Sequence, residues 1–281
     1  GIIMATSHVL GEYAEKVVAA LAIYNLQNQY PQVLDPIIEQ ILTPESFISP
    51  ELTARDVFYR EVSTVHLLLP ALVNSANEIT QSDKPIQQVS EYILKVNAIL
   101  LGVLREVIKY RQHNADRFVP SRPSPVTEYL PWTAAAGKND LRTCLYTMQN
   151  LTLKHGVTGT NVSATRNELY DQIVGLIDLI LDGRKCHLES IRGTEKFDIL
   201  LKQYETERTN LIQPLIKNEQ YENAAMLAEK YFDFASLVQI CDLTDNKSRL
   251  DSYSVRFADQ DFSGFLFSWF VKDGRQGQLV E

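Results

Sequence analysis

A 3.6-residue hydrophobic period runs through almost the whole chain, and it narrows the choice of fold more than any other feature. In Ala14 to Leu26 the apolar positions Val17, Val18, Leu21, Ala22 and Leu26 share one face. Pro31 resets the chain, and Val33, Leu34, Ile37, Ile38, Ile41 and Leu42 form a second stripe. Thr53 followed by Asp56 resembles a capping arrangement, with an acid where the helix dipole favours it. Val57, Phe58, Val62, Val65, Leu68, Leu69 and Leu72 predict a long helix towards Ile79, kinked or broken at Pro70. Pro85 suits a first helical position. The helix after it carries Val89, Ile93, Val96, Ile99, Leu100, Val103, Leu104 and Val107.

The period stops at RFVPSRPSPVTEYLPWTAAAGKND, residues 117–140, which hold Pro120, Pro123, Pro125 and Pro131. Helix does not persist through such a run, because residues before proline prefer extended backbone. Tyr129, Leu130 and Trp132 are poor linker residues, so this connection is expected to pack back on the body. Helices are predicted again at about 140–154, 163–190 and 195–217, with Ser163 and Thr194 as N-caps. Shorter ones follow at Tyr221–Tyr231, Phe234–Asp242, Lys247–Ala258 and Phe262–Val271, with Asn218, Asp233, Asp245 and Asp261 at or beside their starts. Phe262, Phe265, Leu266, Trp269 and Phe270 make one apolar face in the last of these.

No strand or hairpin pattern is present. The expected fold is all-α: an irregular α-solenoid of stacked antiparallel helices with no β-sheet. A compact bundle is the competing architecture, but helices in chain order with short turns stack more naturally as a rod. The solenoid forms one continuous piece over 1–281, with N-terminal helices at 1–116, a Pro-rich connection at 117–139 and C-terminal helices at 140–281. No repeat of 33 to 34 or about 40 residues recurs. Trp132, Tyr129, Leu130, Leu266, Trp269 and Phe270 are the residues expected to support the core.

Chemistry is sparse. The formal net charge of −8 argues against a whole-surface nucleic-acid binder. Cys144, Cys186 and Cys241 form no CxxC pair, and the five histidines give no HxxxH spacing, so no metal site is expected. Gly137-Lys138-Asn139 fails as a phosphate loop, because Trp132 and Asn139 stand where Gly and Ser or Thr are needed. Asp242 to Tyr253 fails as a calcium loop at Lys247 and Tyr253. Cys186 and His187 are neighbours on a helix, about 100° apart, and do not face each other. No catalytic residue, cofactor or metal ligand is assigned.

Several blocks resemble a known family. LAEKYFDFASLVQICDLTDNKSRLDSYSVRFADQDFSGFLFSWFVKDGRQGQL (Leu227 to Leu279) is similar to the helical domain of the 133-kilodalton nucleoporin family, in the Y-shaped scaffold complex of the nuclear pore. LTARDVFYREVS, KYRQHNADRF, EYLPWTAAAG and LIDLILDG resemble it in the family's order. The resemblance implies a structural role in the middle of a long α-solenoid, a rod-like spacer serving pore assembly, mRNA export and protein transport. It implies residence in the nucleus at the nuclear envelope and pore, and at kinetochores in mitosis. It also implies partners among the other Y-complex nucleoporins, with the end that grips the 107-kilodalton partner beyond Glu281. From this segment it implies neither direct nucleic-acid binding nor membrane contact, and a monomeric state. A helical subunit of a vesicle coat or tether fits the helix pattern equally well and is the alternative.

Overall fold

The computed structural model describes residues 1–46, 49–60, 65–122, 124 and 126–275. Twelve α-helices and no strand occur among the described residues. They form two compact units, residues 1–197 and 198–281. The fold class is all-α, as the hydrophobic period predicts.

The first unit is built around three helices of 24 or 28 residues, with shorter ones packed on them. In chain order its helices are α1 (Thr6–Gln29), α2 (Pro31–Ile41), α3 (Ala54–Arg60), α4 (Val65–Thr80), α5 (Ile86–His113), α6 (Leu141–Leu151) and α7 (Ser163–Ser190). The core lies where α4, α5, α6 and α7 meet, and Leu68, Leu72, Ile93, Ile99, Leu100, Leu104, Leu169 and Ile177 are fully buried there. α1 packs along α5, and α2 along α4. At the start of α3, Thr53 and Asp56 form a reciprocal capping box. Asp56 N–H donates to Thr53 Oγ1 at 3.2 Å, and Thr53 N–H donates to Asp56 Oδ2 at 3.0 Å.

Several local expectations are corrected. α4 runs unbroken through Pro70, which is buried with Val65, Leu68, Leu69 and Leu72 on the same helix. The ring removes one backbone bond near the helix start, and burial of that face offsets the loss. Pro85 is the N-cap of α5, not its first residue. The helix expected at 140–154 ends at Leu151 and continues as a π-turn over Thr152–Gly156. α5 explains the change: Asn97 Nδ2 donates to Thr152 Oγ1 at 2.8 Å, and Ser90 Oγ donates to the Gly156 carbonyl at 2.7 Å. Ser163 is the first residue of α7 behind an uncapping Val162. The Thr194 hydroxyl donates to the Ile191 carbonyl instead of capping the next helix. Val62, Pro123, Pro125 and the stretch 276–279 lie outside the described residues.

The 23-residue α8 (Glu195–Lys217) begins at the end of the first unit and runs on from Asp198 in the second. Four short helices follow it in the second unit: α9 (Tyr221–Lys230), α10 (Phe234–Leu243), α11 (Lys247–Arg256) and α12 (Phe262–Lys272). Glu219, Phe232, Asp245 and Asp261 occupy the left-handed region at the four corners, with φ of 59°, 56°, 49° and 56°. After each, the next N–H reaches the carbonyl five residues back: Gln220 to Leu215 at 2.8 Å, Asp233 to Ala228 at 2.9 Å, Asn246 to Cys241 at 2.9 Å and Phe262 to Phe257 at 3.3 Å. These are Schellman closures made without glycine. Asp233 and Asn246 then cap the helices that follow, accepting from Ser236 N–H and Arg249 N–H. Asn218 serves the end of α8 instead, donating to the Pro214 carbonyl at 2.7 Å, while Asp261 caps nothing with its side chain. Between these corners Phe232, Phe234, Phe257, Phe262 and Tyr253 pack ring against ring, with centroids 5.1–6.4 Å apart.

A non-glycine residue held left-handed costs about 1–2 kcal/mol, and glycine gives back part of the gain through its freer unfolded chain. Glu219→Gly is therefore expected to stabilise the protein by about 1 kcal/mol, read as a higher midpoint in urea. An unchanged or lower midpoint would show that Glu219 is not strained at its corner.

Candidate functional site: the strap at residues 128–134

The last part of the Pro-rich connection lies against the first unit as an extended strap ending in a single 3-10 turn, Trp132–Ala134. Glu128 anchors its start. One carboxylate oxygen meets His187 Nε2 of α7 at 2.9 Å, and the other accepts from Lys196 Nζ at 3.1 Å. The Glu128 amide donates to the Ile3 carbonyl at 2.9 Å. Ser190 Oγ accepts from the Tyr129 N–H at 2.9 Å, donates to the His187 carbonyl of its own helix at 2.7 Å and lies 3.2 Å from the Tyr129 carbonyl. The Tyr129 ring sits on His8 of α1, with centroids 4.3 Å apart.

Beyond Pro131, Lys16 of α1 lies over the Trp132 ring at 5.6 Å. Ala134 passes so close to α7 that a methyl group on Gly183 would stand 2.9 Å from its Cβ. Thr133 Oγ1 accepts from Arg111 Nη2 at 3.1 Å. The same guanidinium donates through Nε to Glu15 Oε1 of α1 at 2.8 Å. Glu15 is 3% exposed, so the strap and α1 share one buried ion pair rooted in α5.

Electrostatics follow from burial. For Glu128, burial alone would raise the carboxyl pKa, but hydrogen bonds from His187 and Lys196 outweigh it and hold the pKa below its ordinary value. The Arg111 charge is disfavoured by burial and kept by Glu15. Burial and the nearby Asp182 raise the pKa of the Cys186 thiol. Cys186 lines a 280 Å³ cavity with His8, Glu15, Arg111 and Tyr129, whereas His187 turns to Glu128. A thiol held protonated and separated from its neighbouring imidazole is a poor nucleophile.

Of the six residues singled out in the sequence, Tyr129, Leu130 and Trp132 come together in the strap, each half-buried. Leu266, Trp269 and Phe270 lie on α12 in the second unit. Phe270 is buried, and Leu266 and Trp269 are half-buried. Leu266 and Phe270 line a 400 Å³ groove with Val238 and Cys241, at whose rim Arg275 pairs with Asp242 at 2.7 Å. Glu15, Arg111 and Ser190 are not singled out by the sequence, and His187 is weighed there only as the neighbour of Cys186; their signal is a polar residue on an otherwise apolar helical face. Among the described residues, no group of three or more His, Cys, Asp or Glu is placed to hold a metal ion. No described helix is long and apolar enough to cross a membrane.

The arrangement is thus one of fastening: polar hooks fix an irregular segment on three helices. Comparison with known proteins points the same way. Residues 5–281 match the model of the non-repetitive/WGA-negative nucleoporin C-terminal family. The chain belongs to this family. It is 38% identical over 283 residues to a Drosophila melanogaster protein named nuclear pore complex protein Nup133, covering 98% of the chain and 23% of that protein. It is 36% identical to the proteins of that name from Danio rerio and Homo sapiens, covering 99% and 100% of the chain and 25% of each relative. The chain spans about a quarter of the length of these relatives. Its family is one of structural nucleoporins.

Two tests follow from the strap. Glu128 has a lowered folded-state pKa, so its contribution is full above the ordinary carboxylate value of about 4.3 and is lost as pH falls through the folded value. Glu128→Gln is expected to cost about 2 kcal/mol at pH 7 and to flatten the loss of stability below about pH 4. A variant keeping the parent's acid profile in urea titrations would count against this role. Removing only one member of the Glu15–Arg111 pair leaves a buried charge, so Glu15→Leu should destabilise by about 3–5 kcal/mol. Glu15→Leu with Arg111→Met should recover most of that loss. Equal urea midpoints for single and double variants would contradict the pairing.

Proposed function

We propose that this chain is a segment of a scaffold nucleoporin of the nuclear pore complex, resident at the nuclear envelope. Its solenoid helices act as a structural spacer in the Y-shaped complex, and through it support pore assembly, mRNA export and nucleocytoplasmic transport. The observation that carries this reading is similarity at 36–38% identity along essentially the whole chain to proteins named as nuclear pore components. The geometry suits it. The polar side chains of greatest interest, Glu15, Arg111, Glu128 and His187, engage one another across elements and so serve cohesion. No reaction is assigned to the chain, and its partners are other nucleoporins of the same complex.

Cross-linking mass spectrometry of the tagged parent protein in isolated nuclear envelopes tests this directly. Links joining the parent to other Y-complex nucleoporins, with those from residues 1–281 showing which faces touch them, are the expected result. Absence from the envelope, with links to vesicle-coat subunits instead, would overturn the proposal in favour of a helical coat or tethering subunit.

A further inference from the structure

The first half of the Pro-rich connection stands off the body between two fastened ends. At one end the Phe118 ring lies so close to α1 that a methyl group on Gly11 would stand 3.0 Å from its Cγ. At the other the Glu128 amide donates to the Ile3 carbonyl. Between them, among the described residues, no backbone hydrogen bond ties 119–122 to another element. Val119 and Val126 are 60% and 66% exposed. Ser121, Arg122 and Ser124 are exposed as well, and Pro120 is half-buried.

The sequence gives this open run a definite chemistry. Prolines stand at 120, 123 and 125. Each proline holds φ at about −65° and biases the residue before it towards extended backbone, which favours a threefold polyproline helix. At that period Pro120 and Pro123 share an edge, and Val119 and Arg122 stand directly before them as two successive side chain–proline pairs. Arg117 lies three residues before Pro120, exposed at the end of the 3-10 turn Ala115–Arg117. Phe118 leaves that turn with φ of −110° and ψ of 13°, so Arg117 sits at the bend where the run begins. The resulting pattern, Arg-x-x-Pro-x-x-Pro, suits an aromatic-lined groove: the proline pairs seat between rings, and the arginine reaches a carboxylate at the groove's end. Charge narrows the occupant further. Residues 117–127 hold two arginines and no acid, in a chain whose net charge is −8. Neither arginine forms an ion pair among the described residues. A groove bordered by carboxylates complements this segment, and a basic one repels it. Docking is inexpensive in entropy, because the prolines and the fastened ends leave little backbone freedom to lose. We infer that residues 117–123 are a docking segment for a separate protein module of the SH3 kind, with an aromatic-lined groove and an acidic border.

The test does not depend on where the parent protein resides. An array of purified SH3 domains is titrated with the full-length parent protein and, separately, with a synthetic peptide of residues 117–126. The expected result is saturable binding of both by the same domain, with each displacing the other. Arg117→Glu and Pro120→Ala should each weaken binding of the parent protein at least tenfold. Arg117 is exposed, so its substitution should leave the urea midpoint unchanged and decides the outcome if Pro120→Ala perturbs the fold. Silence across the array would overturn the inference. Binding that both substitutions leave intact would also overturn it, because the seat would lie elsewhere. Binding of the peptide but not of the parent protein would overturn it too, because the segment would be covered by the rest of its own polypeptide.

Discussion

The Arg111 guanidinium is where the first unit is tied together. It projects from α5, holds Glu15 of α1 on one side and reaches Thr133 of the strap on the other. Three segments distant in sequence thus converge on one buried charge. Such a charge is tolerable only while its partners are in place, since desolvation costs several kcal/mol and is repaid by close hydrogen-bonded contact. The pair therefore does more for specificity than for gross stability. Small residues on the inner face of α1 let two helices approach closely, but they fix neither rotation nor register. Glu15 supplies both, because a one-residue rotation of α1 would strand the carboxylate and the guanidinium together.

The strap solves a related problem. Residues 128–134 have no helix to satisfy their backbone, and buried peptide groups need partners. Ser190 accepts from the Tyr129 N–H, the Ile3 carbonyl accepts from the Glu128 N–H, and the Ala134 N–H donates to the Pro131 carbonyl within the 3-10 turn. Pro131 lowers the cost of this extended path, since its own φ and the conformation of Leu130 before it are already restricted in the unfolded chain. Aromatic rings then supply the burial, Tyr129 on His8 and Trp132 beneath Lys16.

What the sequence could reveal followed from how periodic each signal is. α7, α8 and the four short helices after them were legible to within a residue or two, because apolar spacing persists over several turns. The closeness of the strap to the body was legible from Tyr129, Leu130 and Trp132 among prolines. Its fastenings were not. Glu15, Arg111 and His187 are single polar residues on helices, and in a sequence such residues look like solvated positions. The corners of the second unit were equally hidden. Left-handed turns usually announce themselves with glycine, and Glu219, Phe232, Asp245 and Asp261 carry no such mark. At Pro70 the helix does not break, since burial on the same face offsets the one backbone bond that the ring removes.

The two units show two answers to one constraint, that each helix must bury enough surface to offset its own ordering. Helices of 24 and 28 residues in the first unit do so by length, spreading aliphatic contacts over six or more turns. Helices of 10 or 11 residues in the second unit have only about three turns each. They compensate with bulk, because an aromatic side chain buries roughly 150–250 Å² and gains further from edge-to-face contact. This is why Phe232, Phe257 and Phe262 stand at or beside corners: a ring there reaches two helices at once. The left-handed Phe232 follows from the same demand. With its backbone left-handed, the chain turns from α9 into α10 and the ring lies against Phe234 and Phe257, contacts that offset the strain.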